Sequence, residues 1–251
     1  MTKHPSCATT LLRVDSSARL RRSGHDPRGS HTRRLTARFL ERWLAQAPHT
    51  HVLARDVAAA PPAPVDHRWI EAAFTRPERR TPAMSDVLRE SDRLVDEVAQ
   101  ADLIVVGAPM YNFGVPAQLK AWIDNIVRVG RTFGFDRSRP GAPYWPLLAP
   151  GKTLIILSAR GDGGYDAGGP LAEANLVEAS LRVPFAYIGV TDVRSVAVEW
   201  DEFADARMAE SLQRAEAAID ALVADLATKP SQACLETSKS ALACAEAVPQ
   251  T

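Results

Sequence analysis

Cysteine is scarce in this chain of 251 residues, and the three that occur, Cys7, Cys234 and Cys244, lie near its two ends. Their spacing does not match the close pairs that zinc sites and redox-active disulfides use, so we expect incidental thiols in a reducing compartment. The six histidines all fall within the first 67 residues and form no pattern of metal ligands. The sequence therefore predicts no metal site.

Long apolar runs and an excess of one charge are also missing. No apolar run approaches the roughly 20 residues that a transmembrane helix needs, and residues 1–10 lack the apolar segment of a signal peptide. Lys and Arg together number 30, as do Asp and Glu, so the net charge gives no reason to expect a polyanionic partner. These absences favour a cytoplasmic protein that binds neither membranes nor nucleic acids.

Short apolar segments alternate with segments of helical spacing over most of the chain. The apolar segments predict strands within residues 7–15, 51–57, 103–107, 153–158 and 184–190, with 194–199 as a short extension. Two of them, 103–107 and 153–158, are almost entirely apolar, as is typical of parallel strands covered on both faces. The pattern predicts an α/β fold: a doubly wound parallel sheet of five strands, in the order 2-1-3-4-5, with helices on both faces.

Capping residues, prolines and apolar stripes predict where the helices lie. Helices are expected to begin at Ser30 or Thr32, at Thr81-Pro82 and at Pro116, and to lie within residues 66–74, 171–181 and 212–226. We expect a single domain over residues 1–227. Residues 228–251, which are rich in Ser, Ala, Thr, Gln and Pro, are predicted to form a disordered tail.

Three loops follow strands 1, 3 and 4 of this sheet, at the edge where open α/β sheets bind ligands. The first offers Ser16, Ser17, Ser30 and Thr32 beside the amino terminus of a helix, and such hydroxyl and amide groups suit a phosphate dianion. Plain helix capping is the alternative for the last two. The arginine-rich stretch 18–29 either aids phosphate binding or obstructs it.

The second loop, residues 108–114 (APMYNFG), joins two aromatic side chains, an amide and a glycine. This combination suits a flat ring rich in heteroatoms, such as a flavin. The alternative is that Tyr111 and Phe113 are core aromatics at a strand end, but Asn112 would then be a buried amide in need of a partner. In the third loop, residues 159–164 (ARGDGG), the glycines either let the backbone approach the ring or only form turns.

Three segments carry a resemblance to a known family: Pro109 to Lys120, Gly130-Arg131-Thr132-Phe133 and Ser158-Ala159-Arg160-Gly161. They resemble the FMN-dependent NADH-azoreductase family of quinone reductases, over about residues 11–226. This implies a flavodoxin-like fold that binds FMN. The cofactor contacts it implies are Ser17, Ser30, His31 and Thr32 at the phosphate, Pro109, Met110, Tyr111, Asn112 and Phe113 at the isoalloxazine ring, and Ala159, Arg160, Gly161 and Asp162 beside the ring.

Two site assignments are less direct than these. The segment between Ser17 and Ser30 is longer than the family usually shows, so Ser23 is an alternative to Ser30. Tyr165 is the candidate for a polar side chain that faces the substrate.

The implied reaction has two steps that alternate in one pocket. NADH or NADPH passes a hydride to FMN and leaves, and a quinone or an azo compound then accepts the electrons. Because the cofactor carries this chemistry, no catalytic side chain is assigned. The family also implies a homodimer in which each pocket is completed by the partner, and the aromatic stretch 133–145 is a candidate contributor.

Two alternatives to the enzyme stay open. One is a flavodoxin-like FMN electron carrier that turns over no small substrate. Such carriers usually dock through an acidic face, whereas this chain places several arginines near the predicted pocket, which favours the enzyme. The other is a binding module of the same fold that has lost its cofactor.

Overall fold

The structure is a computed structural model that describes residues 9–26 and 28–228, and these form seven strands and six α-helices. The strands are β1 (Thr10–Asp15), β2 (His51–Asp56), β3 (Leu103–Pro109), β4 (Phe133–Phe135), β5 (Tyr144–Pro146), β6 (Thr153–Ala159) and β7 (Asp192–Val198). The helices are α1 (His31–Gln46), α2 (His67–Phe74), α3 (Pro82–Gln100), α4 (Ala117–Ile126), α5 (Leu176–Tyr187) and α6 (Ala206–Ala227). Of the predicted tail, residues 229–251 lie outside the described part.

Five strands form one parallel sheet in the order β2-β1-β3-β6-β7, which confirms the predicted topology. Every residue of β3 and β6 is buried, because helices cover both faces of the sheet at its centre. Helices α3, α4 and α5 pack on one face around Trp122 and Phe185. Helices α1 and α6 pack on the other face around Phe39, Trp43 and Ile219.

The helix starts follow the predicted capping residues. The Ser30 side chain accepts a hydrogen bond from the Arg33 amide at the start of α1, and Thr81 does the same for the Met84 amide at the start of α3. Each cap satisfies one of the amide groups that a helix leaves without an internal partner. The boundaries expected at Ser30 and Thr81 are therefore confirmed.

The predicted fifth strand is wrong. Residues 184–190 hold the end of α5 and the turn after it, and the edge strand is β7. Val177, Leu181 and Phe185 recur every four residues and are fully buried, so the apolar run belongs to a helical stripe. A proline normally ends a helix, which made Pro184 look like the start of a strand, whereas α5 carries it in its interior.

The aromatic stretch 133–145 and the residue after it form an antiparallel hairpin, in which β4 pairs with β5. A Cβ atom on Gly134 would lie 2.0 Å from the indole ring of Trp145, so only glycine lets this ring pack flat on the backbone. No helix in the described part of the chain is long and apolar enough to cross a membrane.

Pro184 provides a test of the revised strand assignment. Replacing it with alanine restores an amide that can donate to the carbonyl four residues earlier, so we expect Pro184→Ala to raise the free energy of unfolding by about 1 kcal/mol. The matched control is Pro82→Ala, because Pro82 occupies the first turn of α3, where proline is favourable. Urea unfolding measures both. A loss of stability in Pro184→Ala, or an equal gain in Pro82→Ala, would contradict this assignment.

Candidate active site

A cavity of about 180 Å³ opens at the carboxyl ends of the central strands. It is lined by Ser17, Arg19, Ser30, His31, Pro109, Met110, Tyr111, Ala159, Gly161, Asp201 and Glu202. The loops after β1, β3 and β6 thus meet, as expected from the topology, and the loop after β7 joins them. The predicted cofactor residues outside this lining are Thr32, Asn112, Phe113, Arg160 and Asp162.

The amino terminus of α1 forms the first wall. Ser17 and Ser30 are both buried, and the Ser30 hydroxyl lies 3.0 Å from that of Thr32. Ser30 caps the helix, as the capping alternative predicts, and it also lines the cavity. The free amide groups and the dipole of a helix start both favour an anion at this place.

Arg33 holds this wall in position. Its buried guanidinium donates to both carboxylate oxygens of Asp56, at 2.6 and 2.9 Å, and to the carbonyl oxygens of Ser17 and Arg19, each at 2.9 Å. Burial is the largest single influence on the pKa of Asp56 and would raise it, but the hydrogen bonds and charge of Arg33, together with the amides of Ala58 and Ala59, lower the pKa. Arg33 therefore ties the loop after β1 to the end of β2. Its position among many arginines hid it from the sequence argument.

The arginine-rich insertion folds back beside this wall. The Ser23 amide donates to the Ser30 carbonyl at 3.2 Å, and the Ser23 hydroxyl lies 2.9 Å from His31 Nδ1. Ser23 thus supports His31 and does not replace Ser30. Arg19 lines the cavity. Arg22 does not, and it forms an ion pair with Glu41, which also lies outside the lining.

A tight turn after β3 forms the second wall. The amides and carbonyls of Tyr111 and Gly114 bond to each other, and the two residues between them have positive φ angles, 47° at Asn112 and 69° at Phe113. Such angles are uncommon outside glycine and are held here by the surrounding contacts. The Tyr111 hydroxyl accepts a hydrogen bond from the Ala18 amide at 3.1 Å, which joins the first and second walls.

The exposure of this turn changes the sequence interpretation. Phe113 is 52% exposed and Tyr111 is 37% exposed, so they are not core aromatics. Asn112 is also exposed, whereas the core alternative would have buried its amide, so that alternative does not hold. The turn instead presents two aromatic side chains to solvent beside the cavity, where they are free to pack against a planar molecule.

The glycine-rich loop after β6 forms the third wall through its backbone. A Cβ atom on Gly161 would lie 2.5 Å from the Glu202 carboxylate, so glycine lets this side chain lie against the loop. Asp162 bonds locally, accepting from the Gly163 amide at 2.8 Å.

The predicted roles of the Arg160 and Tyr165 side chains do not fit their positions. The Arg160 guanidinium is fully buried and binds the carboxylates of Asp166, Glu178 and Glu199 at 2.7 to 3.1 Å. Tyr165 is also buried, and its ring centre lies 6.0 Å from the Arg160 guanidinium carbon. Neither side chain lines the cavity, and Arg160 is held instead by three carboxylates and the Tyr165 ring.

Asp201 and Glu202 follow β7, and the sequence argument missed them because it placed the fifth strand too early. Asp201 Oδ1 lies 3.3 Å from His31 Nε2, and its Oδ2 lies 3.3 Å from the Arg19 guanidinium. The hydrogen bond from His31 is the main cause of a lowered pKa at Asp201. A correct boundary for β7 would have placed both residues at the ligand-binding edge. Among the described residues, no cluster of His, Cys, Asp or Glu has the arrangement of a metal site.

Replacing Arg33 is the most direct way to destabilise the first wall of the cavity, at the amino terminus of α1. Lysine cannot reproduce its four hydrogen bonds, so we expect Arg33→Lys to lower the free energy of unfolding by about 2 kcal/mol. The Asp56 carboxylate stabilises the fold at pH values above its ordinary pKa, and this contribution is lost as the pH falls through its lowered pKa. The difference in the free energy of unfolding between wild type and Arg33→Lys should therefore narrow in acid. Urea unfolding at several pH values measures it. Arg34→Lys, on the same helix, is the control, and equal losses in both variants would refute the role of Arg33.

Comparisons with known proteins were made with the whole chain. A family described as having a flavodoxin-like fold matches residues 19–222. An FMN-dependent NADH:quinone oxidoreductase of Opitutus terrae is 46% identical over 219 residues, which cover 87% of this chain and 98% of the relative. An FMN-dependent NADH:quinone oxidoreductase 2 of Idiomarina loihiensis is 37% identical over 229 residues, which cover 91% of this chain and 95% of the relative.

Solved structures show the same fold. An FMN-dependent NADH-azoreductase of Bacillus anthracis, in complex with FMN, superposes with a TM-score of 0.74 at 18% identity and covers 87% of this chain and all of its own. At that identity the likeness concerns the fold alone. The sequence matches to the quinone oxidoreductases are much closer and nearly complete in length. This chain therefore belongs to the family of flavodoxin-like, FMN-dependent NADH:quinone oxidoreductases.

Proposed function

We propose that the protein is an FMN-dependent NAD(P)H oxidoreductase that reduces quinones and azo compounds by a ping-pong reaction. The observation that carries this proposal is the pairing of two unlike ends in one cavity. Hydroxyl groups and a helix amino terminus lie at Ser17 and Ser30, and the opposite end is a turn in which Tyr111 lines the cavity and Phe113 is exposed beside it. One end suits a phosphate and the other a planar ring. The names of the sequence relatives support the same activity.

The residues present fit FMN. We propose that Ser17, Ser30 and the first amides of α1 hold the phosphate, where Arg33 fixes the loop from behind. Met110, Tyr111 and the backbone at Gly161 would border the ring. These groups bind and orient, and they include hydrogen-bond donors that need no rearrangement to meet a phosphate.

FMN, when bound, supplies the redox chemistry, since it can take two electrons from a nicotinamide and give them to a quinone or an azo compound. The chain's own contribution is position and access. Tyr111 and Phe113 offer apolar area at the mouth of the cavity, against which a nicotinamide or a quinone can pack in turn. No proton-transferring side chain is assigned, as the sequence argument also concluded.

We further propose that the protein acts as a homodimer. Several large apolar side chains are exposed together on the hairpin and α5. We call this set the aromatic patch, and it consists of Phe135, Tyr144, Leu176, Val183 and Tyr187. The Leu176 amide donates to the Phe113 carbonyl at 3.1 Å, so this patch begins beside the cavity. A second copy that covers the patch would remove apolar surface from water and place its own side chains near the site. The cytoplasm, which supplies reduced nicotinamides, is the proposed location.

Half-reactions test the enzymatic proposal. Anaerobic mixing of the FMN-loaded protein with NADH or NADPH should bleach the flavin absorbance, and subsequent mixing with a benzoquinone should restore it. Stopped-flow absorbance measures both steps. If neither nicotinamide bleaches a flavin that the protein demonstrably binds, the electron-carrier alternative replaces the enzyme. If the protein takes up no FMN, both flavin hypotheses fail.

The aromatic patch makes a separate prediction about assembly. Val183 is 69% exposed at its centre, and Val183→Glu should shift the protein from dimer to monomer because the charge would be buried at the interface. Phe74→Glu is the matched control, since Phe74 is 65% exposed on α2, outside the patch. Analytical ultracentrifugation measures the mass of each. A dimer that survives Val183→Glu, or one that Phe74→Glu disrupts, would argue against this interface.

A further inference from the structure

The cavity that we assign to a phosphate carries more negative charge than such a ligand would favour. Asp201 and Glu202 line it together with Arg19 and His31. A phosphate monoester brings a charge of roughly −1.5 to −2 at neutral pH, and like charges at close range repel. The presence of carboxylates in the wall therefore requires an explanation.

Asp201 already contacts both the Arg19 guanidinium and the His31 ring at the proposed phosphate end. One carboxylate oxygen lies 3.3 Å from His31 Nε2 and the other lies 3.3 Å from the Arg19 guanidinium. The lowered pKa of Asp201 keeps this carboxylate ionised at neutral pH. Asp201 therefore already offsets the positive charge of Arg19 and accepts from His31 before any other anion arrives.

The loop after β7 keeps Asp201 in this position. The Asp201 amide donates to the Arg160 carbonyl at 3.1 Å, and the residue before it, Trp200, has a φ angle of 71°. The Arg207 guanidinium carbon lies 4.4 Å from the centre of the Trp200 ring and stacks on it. The turn therefore fixes the backbone at Asp201, so the position of its carboxylate does not depend on the side-chain conformation alone.

We propose that Asp201 is an internal anion that competes with the phosphate of the flavin for Arg19 and His31, and so limits how strongly this chain prefers FMN over riboflavin. The inference rests on the proposed FMN site. Entry of the phosphate replaces the Asp201 contacts of Arg19 and His31 with contacts to phosphate oxygens. The net gain is smaller than the two side chains would give without Asp201, because their contacts to a carboxylate are weakened as contacts to the phosphate are formed.

Asp201→Asn is the direct test. Asparagine keeps an oxygen that can accept from His31 but removes the charge that competes with the phosphate. We expect the Kd for FMN to fall about fivefold, because one charge that opposes the phosphate is removed in a largely aqueous setting. The Kd for riboflavin, which has no phosphate, should stay within about twofold. Titration of the apoprotein with each flavin, followed by quenching of flavin fluorescence, measures both constants.

Arg19 gives the inference a second, independent readout. In the wild type Arg19→Gln should change the Kd for FMN by less than about threefold, because Asp201 already offsets the charge of this guanidinium. In the Asp201→Asn background the same change should remove most of the gain, because there the guanidinium is free to bind the phosphate. The double-mutant cycle therefore predicts strong coupling between the two residues for FMN and none for riboflavin.

The controls separate this inference from a general charge effect and from the proposed function. Glu210→Gln removes one charge from an exposed site on α6, and it should leave both constants unchanged. Asp201→Ser is a second variant if asparagine impairs folding, which circular dichroism will show. Unchanged or weaker FMN binding in the charge-free variants, or an equal gain for riboflavin, overturns the inference alone. A wild type that binds neither flavin overturns the proposed function and the inference with it.

Discussion

The site depends on a crevice between two neighbouring strands of the sheet. The crevice exists because the helices that follow these strands pack on opposite faces of the sheet. Strands β1 and β3 are paired, but α1 packs on one face of the sheet and α4 on the other. The loops that leave their carboxyl ends must therefore diverge, and the space between them cannot be filled by the chain itself. Every functional feature described above is placed by this divergence, from the helix start at Ser30 to the turn at Tyr111.

Buried and half-buried ion pairs then hold the divergent loops in place. Arg33 binds Asp56 and two loop carbonyls beside the amino terminus of α1, and Arg160 binds three carboxylates next to the glycine-rich loop. A guanidinium is suited to this work because its planar fork reaches several acceptors at once. The same chemistry appears in the cavity itself, where Asp201 joins Arg19 to His31. The loops are thus set by charge pairing as much as by apolar packing.

The sequence allowed most of the sheet to be predicted, since β3 and β6 are buried throughout and their apolar runs are unmistakable. It failed at the edge, where β7 is only partly buried and the apolar end of α5 imitated a strand. That error hid Asp201 and Glu202, which follow β7. The side-chain directions of Arg160 and Tyr165 were also beyond sequence reasoning, because the partners of Arg160 lie up to 39 residues away in the chain.

We propose that three loops, after β1, β3 and β6, bind a single FMN molecule. Hydrogen–deuterium exchange of the apoprotein with and without FMN tests it most directly, because each loop reports separately. The account predicts slower exchange in peptides that cover residues 16–20 and 30–33, 110–114 and 160–163 together, at one FMN per chain. Protection confined to one loop, or to peptides outside all three, would contradict it.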